Sequence, residues 1–253
     1  MINYFRKIRK KMADDNKPLK YMRYAIGEIL LVVIGILIAL QINTANQNRI
    51  NKKTELYYLN QMKHDLLADS LFLHQEKLDF QNSLPIIQNF LSELHKENNR
   101  ESFNKAMRSY INDVMQPLSF VSNNATYNEM KSSAKLGIIS DNDLRNKIVT
   151  LYNHLEETKN LYSTNYDFMN AIDVTLISQR GLAKYQKKQG AMFKPYVSED
   201  ELYALKGIKD ELDSNAANWH WSIKDLLPVI VSQLEELKEV MLRIEVYVKQ
   251  NGE

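Results

Sequence analysis

The 253-residue sequence contains no cysteine. That excludes disulfides, thiolate metal sites, iron–sulfur clusters and a cysteine nucleophile. Glycine and proline are scarce, at seven and five residues, against averages of about 7% and 5%. So little turn chemistry excludes sandwiches, barrels and long loops, and favours long helices. Neither sign of charge dominates: 33 Lys and Arg face 31 Asp and Glu, a net of +2. The distribution is uneven, however. Residues 1–24 hold eight basic side chains (Arg6, Lys7, Arg9, Lys10, Lys11, Lys17, Lys20, Arg23) and two acids (Asp14, Asp15), a net of +6 that leaves −4 for the remaining 229 residues. A chain that is acidic beyond its first 24 residues is a poor candidate for nucleic-acid binding, which needs a basic face. Its length suits one or two domains with a true core, held by packing alone.

What is present is a long apolar run. Residues 25–42 read AIGEILLVVIGILIALQI, with no polar side chain from Ile29 to Leu40. Eighteen residues of helix rise about 27 Å, enough for the hydrocarbon core of a bilayer. Tyr21 and Tyr24 fall where an interfacial aromatic belt would lie. The run exceeds the apolar region of a cleaved signal peptide and no A-x-A site follows it, so it reads as an uncleaved signal anchor. Eight Lys and Arg precede it and three (Arg49, Lys52, Lys53) follow closely. By the positive-inside bias the N-terminus is cytoplasmic and residues 43–253 lie outside the inner membrane, in the periplasm.

The stretch FRKIRKKM at residues 5–12, followed by KYMRYAIGEILLVVIGILIALQIN at residues 20–43, resembles the opening of an uncharacterised family of single-pass membrane proteins from Bacteroidota. A second stretch, ATYNEMKSSAKLGIISDNDLRNKIVTLY at residues 125–152, resembles the same family. The resemblance implies topology and lineage. It assigns no activity and transfers no functional residue.

Glu28 is the one ionisable side chain within residues 25–42. One turn inside Tyr24, it can snorkel to the headgroups or pair with Lys20 or Arg23. Alternatively it faces a partner helix or a proton path, as buried intramembrane acids do. Gly35 and Ala39 form a small-xxx-small pair, with Gly27 two turns earlier on nearly the same face, a surface that lets helix backbones approach.

Beyond the membrane, residues 41–51 lack Gly and Pro and fit a helix or a linker equally. A helix follows over about 50–83, its stripe set by Leu59, Leu66, Leu73 and Phe80 and widened by Leu56, Met62, Leu67, Leu71 and Leu78. Pro85 is expected to break or kink it, with Ile87, Phe90, Leu91 and Leu94 on a shorter helical face after it. Residues 97–101 read as a turn, and Ser102 to Met115 as a helix. Pro117 and residues 122–124 form a loop. Thr126 with Glu129 reads as a capping box and Gly137 as a helix stop. Ser140 caps a long helix from Asp141 to Arg180, ended by Gly181. Residues 181–197 form a loop with a basic patch (Lys184, Lys187, Lys188, Lys194) that reads as solvated. Ser198 with Glu201 is a second capping box, opening a helix to Asp213. Finally, Ile223, Leu227, Ile230, Leu234, Leu237, Met241, Ile244 and Val248 alternate spacings of four and three, a heptad seam fitting either an intramolecular bundle or a coiled coil between chains. Pro228 is expected to tilt its start.

Catalytic signatures are missing. There is no HExxH, Glu-x-x-His pair, Gly-rich phosphate loop or GxSxG. His74 with Glu76 and His154 with Glu157 lack the further ligands of a metal site. The run Trp219-His220-Trp221 holds both tryptophans and reads as a core cluster or as an interaction site.

The sequence thus describes an all-α chain: a basic cytoplasmic arm (1–24), a transmembrane helix (25–42) and a periplasmic bundle of long helices (43–253). The leading expectation is a non-enzymatic scaffold or accessory subunit that binds an envelope protein, or a second copy of itself. The expected partners are the lipid bilayer and a protein; no cofactor, metal, nucleic acid or small-molecule ligand is expected. Two alternatives stand beside it. Basic arm, single anchor with one acid and large outer domain is also the plan of proton-motive-force-coupled motor or transporter subunits, in which Glu28 would act. A bundle can also hold a ligand between its helices and signal through a partner.

Overall fold

The computed structural model describes residues 18–116, 118–176 and 198–252. Most of the basic arm, Pro117, the helix end at Arg180 and Gly181, and the loop 181–197 with its basic patch lie outside the described residues, as do the side chains of Lys20, Tyr21, Arg23 and Tyr24. Among the described residues the regular structure is helical, without a strand. The chain divides into two compact units, Met1–Glu55 and Leu56–Glu253.

Helix α1 runs Pro18–His95. In the first unit its side chains from Ile29 to Ile42 are exposed. It is the one helix among the described residues long and apolar enough to cross a membrane, by length and composition. Residues 41–51 are helical, not a linker. Their polar side chains bond along the helix, Gln47 Nε2 to Asn51 Oδ1 at 2.9 Å and Arg49 to Asn46 Oδ1 at 3.3 Å, the spacing at which helical neighbours meet.

In the second unit α1 is followed by α2 (Arg100–Ser109), a π-helical turn (Tyr110–Val114), an irregular stretch over 118–124, α3 (Ala125–Ser132), a 3₁₀ turn (Lys135–Ile138), α4 (Asn142–Val174), α5 (Glu199–Ala204), a second 3₁₀ turn (Leu205–Ile208) and α6 (Lys209–Asn251). The stripe on α1 is buried as expected at Leu59, Met62, Leu66, Leu73 and Phe80. Pro85 does not break the helix. The seven-residue repeat continues through it to Ile87 and Leu94, both fully buried, and Phe90 stacks on Tyr110 with ring centroids 4.3 Å apart. An internal proline costs about 3 kcal/mol. Three buried side chains beyond it return roughly 1.5–3 kcal/mol each, so packing overrides the break. Leu67, Leu71 and Leu78 do not widen the stripe; they are exposed, because at 100° per residue they point away from it.

Helices α4 and α6 pack together along their length. On α6, Ile223, Ile230, Leu237 and Ile244 are buried, while Leu227, Leu234, Met241 and Val248 are half-buried against the same core. The heptad seam therefore packs within its own chain. Pro228 lies in the interior of α6, not in its first turns, and the helix continues through it. Ion pairs flank the seam, Lys147 with Glu239 at 2.8 Å, His154 with Glu236 at 2.9 Å and Lys63 with Glu245 at 2.8 Å. Exposed pairs of this kind contribute little stability.

Local signals at the helix ends hold in part. Ser198 and Glu201 form the expected capping box, but α5 is short and α6 begins at Lys209, ahead of the expected end at Asp213. Thr126 and Glu129 form none, because α3 starts two residues earlier, with Asn124 as its N-cap, and Glu129 is engaged elsewhere. The left-handed residue after α3 is Ala134 (φ 55°), not Gly137. Asp141, not Ser140, caps α4, accepting from the Asp143 and Leu144 amides at 2.9 and 3.0 Å.

Candidate functional site

Three polar side chains on α1 hold the segment that carries the 125–152 resemblance. Asp69 is fully buried within the apolar stripe. Its carboxylate accepts from Ser122 Oγ (2.7 Å), the Asn123 amide (2.8 Å) and Asn123 Nδ2 (2.6 Å). One turn earlier, Asp65 Oδ2 accepts from the Thr126 amide at 3.3 Å, placing negative charge at the N-terminus of α3, where the helix dipole favours it. Tyr58 donates to Glu129 Oε1 at 2.5 Å, and Lys135 Nζ lies 3.3 Å from the same hydroxyl. Tyr127 then stacks on Tyr152 of α4 at 4.2 Å. Burial, with the charges of Asp65 and Asp69, pushes the Tyr152 hydroxyl far above its ordinary range, so it stays neutral. This clasp joins α1, α3 and α4. Its Asp pair was missed in the sequence, although an acid on the apolar face of an amphipathic helix is a visible signal.

A second cluster surrounds Trp219. The run Trp219-His220-Trp221 lies inside α6, and residues two apart on a helix point to different sides. Trp219 is accordingly buried, His220 is half-buried and Trp221 is 59% exposed, edge-on to Phe168 at 6.5 Å. Trp219 Nε1 donates to Asp173 Oδ1 at 3.3 Å, and Asn215 Nδ2 donates to the same oxygen at 2.7 Å. Asn215 Oδ1 accepts from the Tyr110 hydroxyl. The chain Tyr110–Asn215–Asp173–Trp219 thus ties the π-helical turn to α6 and α4 through buried polar groups. Burial raises the Asp173 carboxyl to about 6, against the opposing hydrogen bonds from Asn215 and Trp219.

Trp219 also lines a cleft of about 440 Å³, with Glu76, Asp79, Asp113, Gln116 and Leu118 among its walls. Burial and then the Asp79 charge raise Glu76 to about 7, against the Tyr162 hydroxyl beside it. Among the described residues no basic side chain lines this cleft, and no group of three or more His, Asp or Glu is arranged to hold a metal ion. His74 is exposed, and His154 pairs with Glu236 instead of with Glu157.

In the first unit, Gly27, Gly35 and Ala39 are exposed. A Cβ added at Gly27 or Gly35 would meet nothing within 4 Å, so both positions are open to an approaching surface. Glu28 is half-exposed.

Residues 28–180 match a family of unknown function, DUF6090, and the chain belongs to that family. No curated protein and no solved structure matches it.

Proposed function

We propose that this member of the family is a single-pass membrane protein, of Bacteroidota lineage, anchored by residues 25–42 with its N-terminus in the cytoplasm. Its helical bundle lies in the periplasm as a non-enzymatic scaffold or accessory subunit for another envelope protein or a second copy. The observation that carries the anchor is the exposure of every apolar side chain from Ile29 to Leu40. Soluble surfaces do not sustain a continuous apolar face of that extent, whereas a bilayer solvates it. The charge asymmetry across the run supports the orientation. Exposed Trp221 against Phe168 supports a partner-facing surface, since exposed tryptophan is enriched where proteins bind.

The test is in-membrane crosslinking of the full-length chain, with a photoreactive residue at Leu31 or Trp221 and mass spectrometry of the products. A heterologous envelope protein, or a second copy, captured at either position supports the scaffold reading. A chain that crosslinks only to lipid at Leu31 and to nothing at Trp221 contradicts it. A second reading rests on Glu28, the single acid in the run: in a motor- or transporter-coupled subunit, Glu28→Gln abolishes function at unchanged abundance. Wild-type behaviour of that variant sinks this reading alone.

A further inference from the structure

Every described side chain that touches the Asp173 carboxylate is neutral: Asn215 and Trp219 donate to it from α6, and Asn215 accepts from Tyr110 of the π-helical turn. Trp219, which donates to Asp173, also lines the cleft that holds Glu76. The titratable groups facing the pair are Asp79 from α1, Tyr110 and Asp113 from the π-helical turn, and Tyr162 from α4; Asp210 and Glu211 of α6 line the surface beside the C-terminal end of α4. All are acids or phenols, and no cation among the described residues stands against either carboxylate. Elsewhere on the same helices acids are partnered by cations, Glu239 by Lys147 and Glu245 by Lys63. Neither Glu76 nor Asp173 has such a partner among the described residues, and both border Trp219, where α4, α6 and the π-helical turn converge.

We propose that Glu76 and Asp173 form a proton-operated latch on the Trp219 end of the bundle: with both carboxyls protonated α6 is held against α4 and the π-helical turn, and loss of the protons loosens that contact. A neutral carboxyl at Asp173 keeps its acceptor oxygen for Asn215 and Trp219 and carries no charge into the core. An ionised one keeps the same bonds but must be solvated, and opening the contact to water is the available way. The raised values, about 7 for Glu76 and about 6 for Asp173, agree with the geometry. Between the ordinary carboxylate range and these values the closed chain holds more protons than the open one, so rising pH favours opening until it passes about 7. The clasp at Asp65 and Asp69 is furnished with donors and lies outside the latch.

The experiment is hydrogen exchange of the full-length chain in detergent micelles at pH 5.5 to 8.0, corrected for the intrinsic pH dependence of the chemistry. The expected result is exchange over residues 162–176 and 209–223 that rises about tenfold across that range, allowing for Glu76 being partly solvated, while residues 59–73 do not change. Asp173→Asn keeps the acceptor oxygen and Glu76→Gln keeps the shape; each removes part of the rise, and together they abolish it. A flat wild-type profile over 162–176 and 209–223 overturns the proposal, as does a rise that persists in the double variant. Should the double variant not fold, the two single variants carry the same test, and a rise undiminished in both overturns it.

Discussion

From Ile29 to Leu40 the apolar side chains of α1 cover its whole circumference and all are exposed. From Tyr58 to Leu94 the same helix concentrates them in a seven-residue repeat that is buried, with polar groups over most of the rest. The two stretches are one helix by backbone and two by environment. The first asks for a solvent as apolar as itself on every side, the second for a protein core on one side and water on the other. An exposed apolar side chain does not by itself separate them, since Leu67, Leu71 and Leu78 are exposed in the second unit as well. What separates them is the presence of charges between the apolar residues.

That contrast can be broken most severely in the core. Leu73→Ala removes a fully buried side chain and is expected to destabilise the bundle by about 2–5 kcal/mol, seen as a lower melting temperature of the full-length protein in detergent. Leu31→Ala in the apolar run should leave that temperature unchanged. Next, Ile34→Lys places a charge in the middle of the apolar run and should weaken membrane insertion by about 3 kcal/mol, measured as the fraction of chain resisting alkaline extraction. Asp69→Ala strands the donors of Ser122 and Asn123 in a buried site and is expected to cost about 1–3 kcal/mol, with faster hydrogen exchange in α3. Smallest of all, Leu71→Lys changes an exposed position and should stay within about 0.5 kcal/mol of wild type. A large loss there would show that this face is covered in the folded protein.

The legible parts of the fold were those that period alone decides. The stripe through Leu59, Leu66, Leu73 and Phe80 and the seam through Ile223, Ile230, Leu237 and Ile244 required only the 3.6-residue helix. Pro85 does not break α1 because its local penalty is offset by packing the local sequence does not show, including the stack of Phe90 on Tyr110, made by residues 20 apart. Pro228 does not mark the first turns of α6, because packing against α4 carries the helix through it and through Trp219-His220-Trp221. Of the candidate sites, the split of Trp219 from Trp221 follows from helical geometry, but which of the two faces inward depends on Asp173 and Asn215, 46 and 4 positions away from Trp219. The clasp could not be read from the 125–152 wording alone, since its acceptors Asp65 and Asp69 lie far upstream on α1. The family match ends at residue 180, yet α6 buries Ile223 through Ile244 in the same core, so residues 209–251 belong to the folding unit as much as the matched segment does.

The chain has no cysteine of its own, which makes single-cysteine labelling in intact cells the direct test of the membrane topology. Ala13→Cys and Asn160→Cys are each probed with a membrane-impermeant maleimide, after the outer membrane alone is permeabilised and again after full lysis. The account predicts that position 160 is labelled in both cases and position 13 only after lysis. Equal labelling of the two positions before lysis, or the reverse order, would contradict an anchor at residues 25–42 that leaves the bundle outside.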